Sequence, residues 1–435
     1  MNDSQSLKVI EELLTNIQNG NVLDISYNKL GVLYAETGNY TKAKDFFLQS
    51  IKSNSEYIEP YVNLGIIYGK LKDYKNSESY LKNALDKQPE NFNICYNLAY
   101  VYQEIGLIDD AIFYYSLAIK YNKNHANSYF NRSLLYLLKG DYISGWHDYF
   151  EWGYKSGDLK CRKLNGRLWS GENLDNKTIL IYCDQGFGDT INFIRYIKFL
   201  QANNTKIIVE IPKQLYELFE RINNIDKLII IPEADDMECD YYIPIFMLAK
   251  YFFPKYDKQI EFPYIFPKDK EIKKWKYYLG NNNTLKIGFV WKGNPIPEIN
   301  NKRHLALSLL YKLFEIAKTE WYSLYPEINE EINDAKKTFN NVYDLTLNIK
   351  DFNSTAALIL NLDLVVTIDS AVAHLAGALN KNTILMLNYV PDWRWGINGD
   401  KTEIYPCIKL FRQCERGNWD LVIDEIYDYI TKLNI

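Results

Sequence analysis

Leu30-Gly31-Val32-Leu33-Tyr34 returns as Leu64-Gly65-Ile66-Ile67-Tyr68 and again as Leu98-Ala99-Tyr100-Val101-Tyr102, each time 34 residues further on. A fourth copy, Arg132-Ser133-Leu134-Leu135-Tyr136, keeps the small residue and the tyrosine but loses the leucine. Other columns keep the same period. Ala43, Ser77, Ala111 and Gly145 are small; Phe47, Leu81, Tyr115 and Tyr149 are large and apolar; Tyr27, Tyr61, Cys95 and Tyr129 open each unit. A fixed period of this length marks a stack of equivalent supersecondary units. Small residues let two antiparallel helices approach closely, and large ones fill the space between one hairpin and the next. The repeated tyrosines are therefore expected in the core of the repeats. The fourth unit runs into Gly145-Trp146 and Glu151-Trp152 and reads as a terminal unit that docks on whatever follows.

Outward from the repeats, composition narrows the rest. The chain has 435 residues, 47% hydrophobic and 24% charged, which fits a folded protein of about three domains and excludes extended disorder. A net charge of −5 argues against a general nucleic-acid binder. The six cysteines, at 95, 161, 183, 239, 407 and 414, have neither zinc-ribbon nor redox-pair spacing and read as free thiols in a reducing compartment. The four histidines, His125, His147, His304 and His374, form no HxxxH or HExxH pattern, so no metal site is expected. Met1–Ile10 lacks an apolar signal core and no apolar run reaches about 18 residues, so a cytoplasmic protein without a membrane span is expected.

After the repeats (1–152), residues 153–177 read as a glycine-punctuated connector, with Trp169 as an anchor onto the next domain. Beyond it, apolar runs suited to buried strands occur at 178–184, 206–212, 227–232, 286–291, 321–324, 362–369 and 383–387. Amphipathic stretches such as 190–201, 213–222, 307–318 and 354–360 lie between them. That alternation implies doubly wound parallel sheets. The polar break Gly280-Asn281-Asn282-Asn283 divides the region into two Rossmann-like domains, 178–282 and 283–435, with ligands expected at the carboxyl ends of their strands.

Three loops carry chemistry. Gln185-Gly186-Phe187-Gly188-Asp189-Thr190 follows a strand and opens a helix. Its glycines permit a tight turn and close approach of a ligand, and Asp189 reads either as a helix N-cap or as a general base aimed into a cleft. In Lys286–Asn294 a strand delivers Lys292 and Gly293 to a cleft edge, and Lys302 or Arg303 follows as a phosphate partner or as part of a solvated basic loop. The third is Asp369 at a strand end, followed by the small-residue helix Ser370–Leu379. The first turn of that helix would offer unpaired N–H groups to a diphosphate, with Ala371 and Ala373 leaving room and Ser370 both capping and donating. Asp369 would then hold sugar or ribose hydroxyls. His374, one turn in, is either a packed structural residue or a donor contact.

These segments, Gln185–Thr190, Gly288–Asn294 and Asp369–Ala378, together with Pro391-Asp392-Trp393-Arg394-Trp395, resemble motifs of heptosyltransferase-like, family 9-type glycosyltransferases. The repeat columns resemble the tetratricopeptide repeat. The whole chain is similar to bacterial fusions of the two, some implicated in glycosylating flagellin. The resemblance implies an α + α/β fold: a tetratricopeptide α-solenoid followed by a GT-B type pair of Rossmann-like domains. It implies a nucleotide-sugar donor as substrate, no cofactor, no metal, and a protein acceptor or partner bound by the repeats. It carries the base role to Asp189, with Gln185, Gly186, Gly188 and Thr190 in the same loop. Donor binding falls to Lys292, Arg303, Asp369, Ser370, Ala371 and His374, with Trp393 packing around the donor or serving structure. Three departures stand out: Tyr325 where an amide is usual after Ser323-Leu324, Asn192 in place of a longer Gln, and Asn380 where a proline is usual. Rival readings are a transferase for lipid-linked or surface saccharide, an inactive repeat adaptor, and a nucleotide-binding oxidoreductase. The incomplete glycine fingerprint counts against the last.

Overall fold

The structure is a computed structural model that describes residues 3–20, 22–160, 162–183, 185–255, 257–293 and 304–433. Residues 3–137 with 143–158 form one compact unit, and 138–142 with 159–433 form another.

The first unit contains nine helices among the described residues: α1 (Asp3–Gln18), α2 (Leu23–Glu36), α3 (Tyr40–Ser53), α4 (Glu59–Lys70), α5 (Tyr74–Lys87), α6 (Phe92–Glu104), α7 (Ile108–Tyr121), α8 (Ala126–Lys139) and α9 (Tyr142–Ser156). The small and large columns meet as the sequence implies. A Cβ on Gly31 would lie 2.5 Å from the Phe47 ring, and one on Gly65 would lie 2.5 Å from Leu81. Ala43, Ser77 and Ala111 are fully buried beside them. The repeated tyrosines are less buried than expected. Tyr34 and Tyr68 are half-buried and only Tyr102 is buried. Each lies flat on a ring of its partner helix: Tyr34 on Phe46 at 5.3 Å, Tyr68 on Tyr80 at 5.5 Å and Tyr102 on Tyr114 at 5.3 Å. The columns that fill the core are the leucines and the 47/81/115 series, while the tyrosines cover its edge. One further column carries the turn inside each unit: Gly38, Lys72, Gly106 and Gly140 all have positive φ.

The second unit holds two sheets, both wholly parallel. One contains β1 (Asn165–Leu168), β2 (Thr178–Tyr182), β3 (Lys206–Ile211), β4 (Lys227–Ile230) and β5 (Glu238–Pro244), in the order β1-β5-β2-β3-β4. The other contains β6 (Leu285–Val290), β7 (Thr319–Ser323), β8 (Val342–Asp344), β9 (Leu364–Ile368), β10 (Thr383–Leu387) and β11 (Ile408–Arg412), in the order β11-β10-β9-β6-β7-β8. Counted from β6, this second order is 3-2-1-4-5-6, the doubly wound arrangement, with its reversal between β6 and β9. β9 and β10 are buried at every position, as continuous apolar strands covered on both faces must be.

Two features differ from the sequence reading. The stretch taken as connector contains β1, which pairs with β5, and Trp169 directly after it is buried against Tyr251 at 4.6 Å. The helix Asp269–Leu279, on the first-domain side of the 282/283 boundary, packs on the helix Phe352–Leu360 of the second sheet: Trp275 Nε1 donates to Ser354 Oγ (3.2 Å) and Asn361 Nδ2 donates to the Ile272 carbonyl (3.0 Å). A break in the apolar pattern marks where a strand begins, and does not tell which sheet the preceding helix covers. Among the described residues no helix is long and apolar enough to cross a membrane, and the five described cysteines are free.

Candidate functional site

The carboxyl ends of β6 and β9 flank the reversal of the second sheet, and they deliver Lys292 and Asp369-Ser370. The carboxyl end of β2 delivers Gln185 and the helix Phe187–Phe193. The start of that helix meets the start of the helix Ala371–Ala378. A Cβ on Gly188 would lie 2.9 Å from His374 Cδ2 and 3.4 Å from Ala371 Cα. The close approach that Gly188 permits is thus made by the other sheet's helix rather than by a ligand. Gly188→Val is expected to force the two helices apart and destabilise this unit by about 1–3 kcal/mol, read as a lowered melting temperature of the full chain.

Asp189 is not the N-cap. Gly186 holds that position, and Asp189 sits in the helix's first turn with its side chain 24% exposed. Its Oδ1 accepts a hydrogen bond from Arg394 Nη2, and Arg394 Nη1 donates to Asp392 Oδ1 at 2.8 Å. The Arg394 guanidinium lies 4.6 Å from the Trp393 ring and 5.5 Å from the Phe193 ring, and its side chain is 13% exposed. Thr190 is buried and donates back to the Gly186 carbonyl (3.3 Å), holding the loop, while Gln185 is half-buried.

Ser370 begins its helix without a side-chain capping bond; its hydroxyl meets that of Thr367 at 3.1 Å. Asp369 and Ala371 are half-buried at the same corner. His374 takes the packed alternative. It is 5% exposed, stacks on Trp395 at 5.2 Å, and its Nδ1 lies 3.2 Å from the Tyr405 hydroxyl. Trp393 is also buried, edge-on to Phe253. Lys292 points its ammonium toward Glu331 (3.6 Å) and the Tyr325 ring (5.3 Å). Tyr325, the departure from the usual amide, is buried and donates to Glu327 Oε2 (3.1 Å). Burial, then the Glu327 charge, pushes its hydroxyl up to about 12. Arg303 and Lys302 lie outside the described residues.

Behind this corner runs a buried polar chain that sequence reasoning missed. Tyr405 donates to Asn192 Oδ1 (3.2 Å) and meets the Tyr264 hydroxyl at 3.3 Å; Tyr264 donates to the Ile191 carbonyl. Arg195 donates to the Ile404 carbonyl and to Tyr196, and Tyr196 donates to Asp257 at 2.6 Å. Burial raises the Asp257 carboxyl, and Arg195 opposes that. The chain ties residues after β2 to residues after β10, so the two helix starts face each other on a fixed support. Asn192 is fully buried within it and cannot serve as a surface substrate contact. Among the described residues no group of three or more His, Cys, Asp or Glu side chains could hold a metal.

Residues 25–57 and 70–130 match tetratricopeptide-repeat models, and 327–405 matches the model of glycosyltransferase family 9 (heptosyltransferase). The chain joins tetratricopeptide repeats to a family 9 glycosyltransferase domain. The matched window contains Asp369, Ser370, Ala371, His374, Trp393 and Arg394, and excludes Asp189 and Lys292. Protein FlbA of Caulobacter vibrioides is 23% identical over 333 residues, 67% of this chain and 52% of FlbA, so the chain spans about half the length of that relative. Among solved structures, MamA from Desulfovibrio magneticus RS-1 is 14% identical, covering 36% of this chain and 88% of MamA with a TM-score of 0.33. YrrB, a tetratricopeptide-repeat protein with an unusual peptide-binding site, is 20% identical, covering 34% of this chain and 78% of YrrB with a TM-score of 0.31.

Proposed function

We propose that the chain transfers a sugar from a nucleotide-sugar donor to an acceptor hydroxyl on a protein recruited by the repeats, on a GT-B frame without a metal. The observation that carries this reading is the position of the family 9 match. It covers β9 and the helix Ala371–Ala378, whose start stands at the reversal of a 3-2-1-4-5-6 sheet, where such sheets bind ligands. The donor diphosphate docks at residues 370–372, where N–H groups at a helix start and its dipole favour an anion. Asp369 takes ribose or sugar hydroxyls, and Lys292 adds positive charge at the neighbouring strand end. Asp189 takes the proton of the acceptor hydroxyl as its oxygen bonds to the anomeric carbon. The bond from that carbon to the diphosphate oxygen breaks, and the nucleoside diphosphate leaves with the electron pair. Positive charge preorganised around the leaving group does what a metal ion does elsewhere.

A thermal-shift screen of the full chain against UDP-, GDP-, ADP-, dTDP- and CMP-sugars, in EDTA and with magnesium, tests the reading. A true donor at 100 times its Kd stabilises the folded state by about 2.7 kcal/mol, and the shift is expected in EDTA as well. No shift with any donor leaves a repeat adaptor carrying a silent transferase domain.

A further inference from the structure

Arg394 stands outside every role assigned above, yet it is the cation that touches the proposed base. Its guanidinium is shared between two carboxylates, Asp189 and Asp392. The site is largely enclosed, with 13% of the Arg394 side chain and 24% of the Asp189 side chain exposed, so these charges are screened less than surface pairs. The proposed diphosphate position is close by. Asp189 directly follows Gly188, whose backbone lies against Ala371, the first residue of the phosphate-facing helix. A diphosphate entering here meets the Asp189 carboxylate, and the guanidinium bound to that carboxylate is a group beside it that can exchange a carboxylate oxygen for a phosphate oxygen. Held this way, Asp189 Oδ1 is occupied by the guanidinium.

Resting on the glycosyltransferase reading, we propose that Arg394 is a donor-phosphate ligand held in reserve by Asp189. When the diphosphate arrives, Nη2 leaves the Asp189 carboxylate for a phosphate oxygen, while Nη1 stays on Asp392 as a pivot. The planar guanidinium suits that exchange, because its N–H groups match a carboxylate and a phosphate equally well and its charge is permanent. The rings of Trp393 and Phe193 guide the plane of the guanidinium as it moves. The exchange frees Asp189 Oδ1 for the acceptor hydroxyl as the donor binds.

Calorimetric titration of the full chain with UDP, GDP, ADP, dTDP and inorganic pyrophosphate tests this in wild type, Asp189→Asn, Arg394→Met and the double variant. Asp189→Asn releases Arg394 and is expected to tighten binding of the recognised diphosphate by about 5- to 150-fold, the usual span of coupling between linked sites. Arg394→Met is expected to weaken it about 10- to 100-fold by removing a charge-assisted contact. The double variant is expected to bind as weakly as Arg394→Met. A double variant that binds like wild type would show that Arg394 only neutralises Asp189, and overturns the proposal. So does an Asp189→Asn protein that binds no tighter than wild type, a measurement that stands even if Arg394→Met unfolds. A wild-type chain that binds none of the five probes overturns the glycosyltransferase reading itself, and this proposal with it.

Discussion

Replacing Asp189 by asparagine is expected to lower the turnover of sugar transfer by about 10²–10⁴-fold, the range that a positioned general base contributes, while nucleoside-diphosphate binding is tightened. The separation of the two effects follows from geometry. Asp189 sits in the first turn of the helix Phe187–Phe193, and its Oδ1 accepts a hydrogen bond from Arg394. Asparagine keeps the size of the side chain but not its charge, so folding is preserved, Arg394 is released, and the loss falls on proton transfer. Single-turnover assays with saturating donor, run beside the binding titrations, distinguish this from a structural role. A structural Asp189 would lower binding and turnover together. An Asp189→Asn enzyme with wild-type turnover removes the carboxylate from the chemistry and moves the base role to another group in the corner.

How much of this could be read from the chain itself differs between its parts, for physical reasons. The repeats were legible because steric complementarity repeats with the chain: Gly31 and Gly65 must be small where Phe47 and Leu81 press against them. The turn column was not, because Lys72 takes a left-handed conformation that Gly38, Gly106 and Gly140 would have advertised. Among the strands, β2, β3, β6, β9 and β10 announced themselves as apolar runs because they are covered on both faces. β1, β8 and β11 lie at sheet edges and are short or interrupted by charge, as Lys409 and Arg412 are in β11. β5 is central, but it starts at Glu238-Cys239-Asp240, still half in solvent, and ends on Pro244. The site was legible as loops and not as contacts. Asp189 and Arg394 lie 205 residues apart and meet only through the fold. Arg394 stood in plain view within Pro391–Trp395, where the tryptophans drew the reading. His374 shows the converse: one turn into its helix it reads equally as a packed residue or as a donor contact, and only the fold shows Tyr405, Trp395 and Gly188 packed around it.

The second large effect lies far from this corner, where the repeat breaks its own rule. Leu30, Leu64 and Leu98 are fully buried, and the fourth unit puts Arg132 in their column. Consensus reasoning recommends Arg132→Leu as a repair; the structure points the other way. Arg132 Nε and Nη2 both donate to Asp148 Oδ2, at 2.9 and 2.7 Å, and Nη1 donates to Ser116 Oγ at 2.9 Å. The Asp148 side chain is 6% exposed, and among the described residues its other oxygen meets the exposed His147 at 3.3 Å. Arg132→Leu therefore strands a buried carboxylate, a change that costs about 3–5 kcal/mol. Hydrogen exchange of peptides covering 126–156 in the full chain should lose protection by about two to three and a half powers of ten. The double change Arg132→Leu with Asp148→Ala removes the charge as well as its partner, and since buried ion pairs are often replaceable by apolar residues at little cost, most of that protection should return. The coupling between the two sites in this cycle should amount to several kcal/mol, far above what surface pairs yield. Equal protection in wild type and Arg132→Leu would mean that Asp148 finds water or another partner. The leucine column would then be as tolerant in the fourth unit as its repetition in the first three suggests.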